Sequence, residues 1–127
     1  MTVVGIGTDL VDIDRMRSII NRRPRFVERV FTEAERRYCS ATRDPSERYA
    51  ARFAAKEAVL KTLGVGLGGA AFADIEVVRL DSGRPELRIT GRAAELAAQQ
   101  GINRWLITLS HSETLAQAFV VGLGEDG

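Results

Sequence analysis

The chain has 127 residues, 45% hydrophobic and 28% charged, with a formal net charge of +1 and one cysteine, the scale of a single domain, 1–127, built on one core. A lone Cys39 excludes an intrachain disulfide framework and fits a reducing compartment, so the cytoplasm is the expected location. Residues Met1 to Val11 carry no basic leader and no apolar run approaches the roughly 20 residues of a membrane span, so neither export nor insertion is expected. A domain this small leaves much of its surface in water, and sheet edges or apolar patches are expected to find cover in a partner subunit.

In chain order, Val3 to Ile13 alternates as a strand, with Val4, Ile6, Thr8 and Leu10 on one face and Val3, Gly5, Gly7, Asp9, Val11 and Ile13 on the other. Asp14 to Asn21 reads as a short helix stopped before Pro24. Thr32 and Glu35 form a capping box for another helix through about Ser40. Asp44, Pro45 and Glu47 supply an N-cap, a first-turn proline and a returning acid for the main helix, which runs to about Leu63 and closes at Gly64. After a glycine-rich loop, Gly64 to Gly69, two strands at Asp74 to Leu80 and Glu86 to Ile89 flank the turn Asp81-Ser82-Gly83. Thr90 begins an alanine-rich helix closed by Gly101, and strands at Asn103 to His111 and Thr114 to Leu123 complete the chain. This order predicts an α+β fold, a largely antiparallel sheet packed on a long central helix.

Charge is unevenly spread. Arg15 to Arg52 holds eleven arginines and five acids, a net +6, so the remainder carries −5 within the chain total of +1. That block points to an acidic partner rather than to a nucleic-acid coat; the competing reading is a solvated helical face.

On a helical projection Tyr49 to Leu63 has no ordinary solvent face, yet it carries Lys56, Glu57 and Lys61. Buried charges need partners, a metal or a ligand; the bland account is a Glu57 to Lys61 pair with Lys56 snorkelling. Asp9 is likewise a lone acid among apolar neighbours and two strand glycines, and glycines at such positions mark the close approach of a backbone or a ligand. Two isolated carboxylates beside lysines suit magnesium, which takes one or two protein carboxylates and completes its shell with water and substrate phosphate. Zinc is disfavoured, with Cys39 and His111 the only soft ligands. The string Gly64-Val65-Gly66-Leu67-Gly68-Gly69 matches a dinucleotide fingerprint, but a helix precedes it instead of a strand, so Gly64 is read as a helix cap. His111 shares a strand face with Trp105, Ile107 and Leu109 and reads as a core histidine.

Two segments, Gly5-Ile6-Gly7-Thr8-Asp9-Leu10-Val11-Asp12-Ile13 and Arg52-Phe53-Ala54-Ala55-Lys56-Glu57-Ala58-Val59-Leu60-Lys61, closely resemble the paired signatures of the holo-acyl-carrier-protein synthases, a 4'-phosphopantetheinyl transferase family. The Gly83-Arg84-Pro85 turn and the Thr108-Leu109-Ser110-His111 strand end resemble that family too. The resemblance implies an α+β homotrimer with sites at subunit interfaces, which moves phosphopantetheine from coenzyme A to a serine of an apo acyl carrier protein and serves fatty acid biosynthesis. By the same resemblance Asp9 and Glu57 would hold magnesium and Lys61 would neutralise charge on the transferred group. Arg52, Lys56, the loop glycines Gly64, Gly66 and Gly68, Arg84, Pro85 and His111 would line the coenzyme A cleft, and Arg15, Met16, Ile19, Phe26 and Arg29 would meet the carrier. The stretch Ala41 to Ser46 offers only Arg43 where some relatives place a basic pair. The base for the serine stays open between Glu57 and a metal-bound water. Two other readings compete: a noncatalytic coenzyme A or nucleotide binding module that regulates a partner, and a small RNA-binding domain, which lacks the aromatic stacking pattern it would need.

Overall fold

A computed structural model describes residues 1–126. The chain forms β1 (Thr2–Asp12), α1 (Ile13–Arg22), α2 (Pro24–Val30), α3 (Glu33–Ser40), α4 (Ser46–Thr62), a 3-10 turn (Phe72–Asp74), β2 (Ile75–Arg79), β3 (Pro85–Ile89), α5 (Gly91–Gln99), β4 (Arg104–His111) and β5 (Leu115–Gly124). The α+β class follows the expectation, with one amendment to the sheet. The strands divide into an antiparallel three-stranded sheet in the order β1-β5-β4 and a separate β2-β3 hairpin.

Helix α4 is the axis of the molecule, and twelve of its seventeen residues are buried. On one side it meets the inner face of the three-stranded sheet together with the hairpin and α5, which form one apolar cluster. On another it packs against α1, α2 and α3, where Ile13, Met16, Val30, Phe31 and Tyr49 form a second. The glycines of β1 set the distance of approach: a Cβ on Gly7 would stand 2.1 Å from the Ala58 carbonyl oxygen, and one on Gly5 2.8 Å from that of Thr62. The glycines therefore admit a helix backbone, which is the first of the two uses expected of them.

Several boundaries differ from the sequence reading for local reasons. Pro24 ends α1 but also opens α2 at its first turn, where a proline costs no hydrogen bond. The capping box of α3 forms as expected, with Thr32 and Glu35 bonding each other's backbone N–H. At α4 the Asp44 carboxylate accepts from Ser46 N at 3.0 Å, but Glu47 does not return to the cap; it turns instead to His111. The far end of α4 closes by paired bonds from Gly64 N to the Lys61 carbonyl and from Val65 N to the Leu60 carbonyl, each 3.0 Å, with Gly64 at φ 73°. A register shift between Val3 and Gly5 turns Val3 onto the outer face opposite Leu123, so it does not share the inner face with Gly5, Gly7, Asp9 and Val11.

That outer face is apolar and open in a single chain: Ile6 is 60% exposed, Leu10 58% and Phe119 40%. Among the described residues no helix is long and apolar enough to cross a membrane.

The strand-helix contact carries a direct expectation. Gly7→Ala should lower the stability of the fold by about 3 kcal/mol, the upper end of the range for overpacking a tight contact, because the blocking atom is backbone. Chemical denaturation checks this, and an unchanged midpoint would show that the contact has slack.

Candidate active site

Residues Asp9 and Glu57 come from the two elements that the glycine contact brings together. Asp9 sits on the inner face of β1, opposite Ala118, two residues beyond Gly7. Glu57 precedes Ala58, whose carbonyl meets Gly7, and its carboxyl comes close enough to Asp9 to feel its charge. Burial first, and then the charge of Asp9 and a hydrogen bond with it, hold the Glu57 carboxyl above the usual carboxylate range. Lys61, one turn along α4, donates from Nζ to Asp9 Oδ1 at 2.9 Å and to the Thr8 carbonyl at 3.0 Å. Its ammonium is half exposed, while Asp9 is largely covered. Two adjoining carboxyls with an exposed ammonium at their mouth form a donor pair of the kind a hard divalent cation takes, with water and phosphate completing its shell.

This cluster opens into a cleft of about 540 Å³ between β1, α1, α2 and α4, lined among others by Asp9, Arg15, Ile19, Phe26, Phe53 and Glu57. Of the residues expected to meet a protein partner, Arg15 is exposed and Ile19 and Phe26 are half-buried. Met16 corrects the expectation: at 1% exposure it lies in the core, presented to the cleft as floor rather than as contact surface. Arg29 is exposed on α2, outside the cleft lining. Much of the basic block is engaged internally. Arg17 bonds Asp14 and Asp44, Arg36 donates to the Phe31 carbonyl, and Arg48 donates to that of Tyr38.

A second cleft, about 440 Å³, lies between α3, α4, the hairpin and β4, and brings Arg52, Arg84 and Pro85 together with Tyr38, Arg79 and Leu109. Arg52 and Glu57 are five positions apart on α4, about 140° around the helix, so in one chain the two clefts face different ways. Arg52 is 6% exposed, and its Nε has no hydrogen-bond partner among the described residues. The guanidinium groups of Arg48 and Arg52 stand 4.1 and 4.3 Å from the centroid of the Tyr38 ring, with that of Arg79 at 5.9 Å. The arginines that form ion pairs among the described residues are Arg17, Arg37, Arg88 and Arg92, so Arg48, Arg52 and Arg79 around Tyr38 have no carboxylate partner among them.

Three other expectations meet different geometry. Lys56 does not reach the second cleft. It is fully buried and donates to Glu35 Oε1 at 2.8 Å and to the Phe72 and Ile75 carbonyls; burial pulls its pKa down and Glu35 opposes that pull. His111 is neither core nor part of that cleft lining. It is 55% exposed at the end of β4, with Nε2 3.3 Å from Glu47 Oε1. Among the loop glycines, Gly66 borders a hollow of about 180 Å³ beside Glu57, Lys61 and the exposed Leu67, whereas Gly64 and Gly68 adopt positive φ with open space around them. Sequence reasoning missed Tyr38, Arg48 and Arg79. The spacing of Arg48 and Arg52, one turn apart on a buried helix, was the available signal; Arg79, at a strand end, offered none.

Residues 5–118 match the 4'-phosphopantetheinyl transferase superfamily, and the chain belongs to that family. It is 46% identical to the holo-[acyl-carrier-protein] synthase of Desulforudis audaxviator over 96% of this chain and 94% of that one. Among solved structures it is similar to the Neisseria meningitidis holo-[acyl-carrier-protein] synthase, with a TM-score of 0.85, 32% identity, and coverage of 96% and 99%. It is also similar to the Helicobacter pylori synthase in complex with coenzyme A, with a TM-score of 0.82, 31% identity, and coverage of 93% and 99%.

The raised Glu57 carboxyl has a pH signature. A carboxyl that holds its proton more tightly when folded than when unfolded lowers stability as pH climbs from the ordinary value of 4.5 through the raised one. In chelator, Glu57→Gln should therefore unfold at a higher temperature than the parent at neutral pH and at the same temperature below pH 4.5. Equal melting temperatures across the whole range would contradict the shared environment of the two carboxyls.

Proposed function

We propose that this protein transfers the 4'-phosphopantetheine group of coenzyme A to a serine of an apo acyl carrier protein, releasing adenosine 3',5'-bisphosphate, in support of fatty acid biosynthesis. The observation that carries this reading is the Asp9, Glu57 and Lys61 cluster at the head of a cleft whose walls are Arg15, Ile19 and Phe26. Family membership and a relative's complex with coenzyme A support it. A noncatalytic binding module is not favoured.

The serine oxygen attacks the β-phosphorus as its proton passes to Glu57 or to water, and the bond to the bridging oxygen breaks as the nucleotide departs; such a transfer depends on positioning and charge stabilisation. Asp9 and Glu57 are the residues that would hold magnesium, which when bound supplies positive charge at the pyrophosphate. Lys61, exposed and tethered only through Asp9 and Thr8, swings to the transferred phosphoryl group when substrate enters. Arg52, Arg84 and Pro85, with Arg48, Arg79 and Tyr38 beside them, hold the nucleotide end of coenzyme A.

The carboxylates and the arginine cleft face different ways on one chain, and the outer face of the three-stranded sheet is apolar and open. Both features favour an assembly in which one subunit's Asp9 and Glu57 confront the arginine cleft of the next, with His111 and the loop glycines brought to the same interface; the resemblance to the holo-acyl-carrier-protein synthases makes that assembly a homotrimer. The enzyme works in the cytoplasm. Arg15 and Arg29 steer the acidic carrier while Ile19 and Phe26 supply apolar contact.

Incubation with coenzyme A, magnesium and apo carrier should add the mass of one phosphopantetheine arm to the carrier; no gain sinks the proposal. Asp9→Ala and Glu57→Ala should each lower kcat by about 100-fold or more while the fold persists, the loss typical of an electrostatic catalytic group. Near-normal turnover in either variant removes that residue from the chemistry. Arg15→Glu should raise the carrier KM and flatten its dependence on salt while leaving the coenzyme A KM unchanged. Equal carrier KM and equal salt slopes would mean that the carrier lands elsewhere.

A further inference from the structure

The β2-β3 hairpin makes no backbone ladder with the three-stranded sheet, yet it carries Arg79, Gly83, Arg84 and Pro85, which form one wall of the second cleft. Its hydrogen bonds to the preceding part of the fold, among the described residues, converge on one node. Lys56 Nζ donates to the carbonyls of Phe72 and Ile75, Glu35 Oε2 accepts from Val77 N at 2.9 Å, and Thr32 Oγ1 bonds Glu76 Oε2 at 2.6 Å. Glu35 Oε1 joins the two sides by accepting both from Lys56 and from Thr32 N.

Each donor and acceptor in the node is used. The ammonium has three protons and three acceptors, and the carboxylate takes three N–H bonds across its two oxygens. Lys56 and Glu35 are both fully buried, so the attraction between them is unscreened, and any shift of the hairpin would strand a charge away from water. Apolar packing alone tolerates sliding; a satisfied buried ion pair has one geometry.

We propose that the Glu35–Lys56 pair is a positioning device that fixes the hairpin against α4 and thereby sets the separation of Arg79 and Arg84 from Arg52 across the anion-binding cleft. The pair touches no substrate. Lys56 turns toward the hairpin while its neighbour Glu57 turns toward β1, so the pair governs capture of the nucleotide end of coenzyme A and leaves the phosphoryl chemistry to the other side of the helix. This inference rests on the transferase reading of the same cleft.

The test compares the parent, the neutral double variant Glu35→Gln/Lys56→Met, and Ile102→Ala, a core truncation at a residue that does not line the cleft. Coenzyme A affinity is measured by calorimetry, and transfer to apo carrier by steady-state kinetics. The double variant should show a dissociation constant and KM for coenzyme A raised about tenfold, with kcat within about threefold of the parent and the carrier KM unchanged, a split that marks lost substrate binding. Ile102→Ala should lose stability and keep its coenzyme A KM. An unchanged KM in the double variant, a fall in kcat at unchanged KM, or an equal rise of KM in Ile102→Ala overturns the proposal. If the double variant does not fold, Glu35→Gln alone decides: faster amide exchange at Val77 with weaker coenzyme A binding upholds the proposal, and unaltered binding overturns it. Failure of the parent itself to bind coenzyme A would instead overturn the transferase reading.

Discussion

The contact between β1 and α4 is the constraint on which the rest of the molecule depends. A strand with side chains at positions 5 and 7 would stand off the helix, and Asp9 would then be an isolated surface acid. With glycine there, the strand backbone approaches the carbonyls of Ala58 and Thr62, and the next inward side chain along β1 is carried into the neighbourhood of Glu57 and Lys61. The two carboxyls thus lie beside a close approach of two backbones and share an environment neither element would create alone.

Helix α4 carries its charges through an almost wholly buried course by giving each a separate solution. Arg52 lays its guanidinium on Tyr38 and leaves one nitrogen unbonded. Lys56 meets a carboxylate and two carbonyls in the interior. Glu57 lies in a cleft where burial and the charge of Asp9 raise its pKa, and Lys61 reaches back to Asp9 from the surface. A helix that cost nothing to bury would have carried none of them. Cys39, in the same interior, shows the opposite outcome: burial pushes its thiol up to about 12 and leaves it inert as a nucleophile.

Much of this was legible in the sequence, because a charge in an apolar period is an anomaly that periodicity exposes. Asp9, Glu57 and Lys61 stood out in that way, and Gly64 and the Thr32–Glu35 box declared their helix ends. What escaped has physical causes. Glu35 already had a local explanation as a capping acid, so nothing in the chain announced a second bond to Lys56, 21 positions away. Met16 and Ile19 both belong to α1, but only the packing of α2 decides which of them is covered. One extra residue in β1 reversed the face of Val3, and strand pattern alone did not show that the hairpin would leave the main sheet. His111 continued an apolar alternation that ends one residue too early to bury it.

On this reading the glycine-mediated contact assembles one cation site from Asp9 of β1 and Glu57 of α4. A crystal of the protein grown with coenzyme A and manganese, examined by anomalous scattering, tests it most directly. One metal peak is expected, bonded to carboxylate oxygens of both Asp9 and Glu57 at about 2.1 Å, the spacing of a hard octahedral cation. A peak that engages neither carboxylate, or a bound coenzyme A whose pyrophosphate lies away from both, would contradict it.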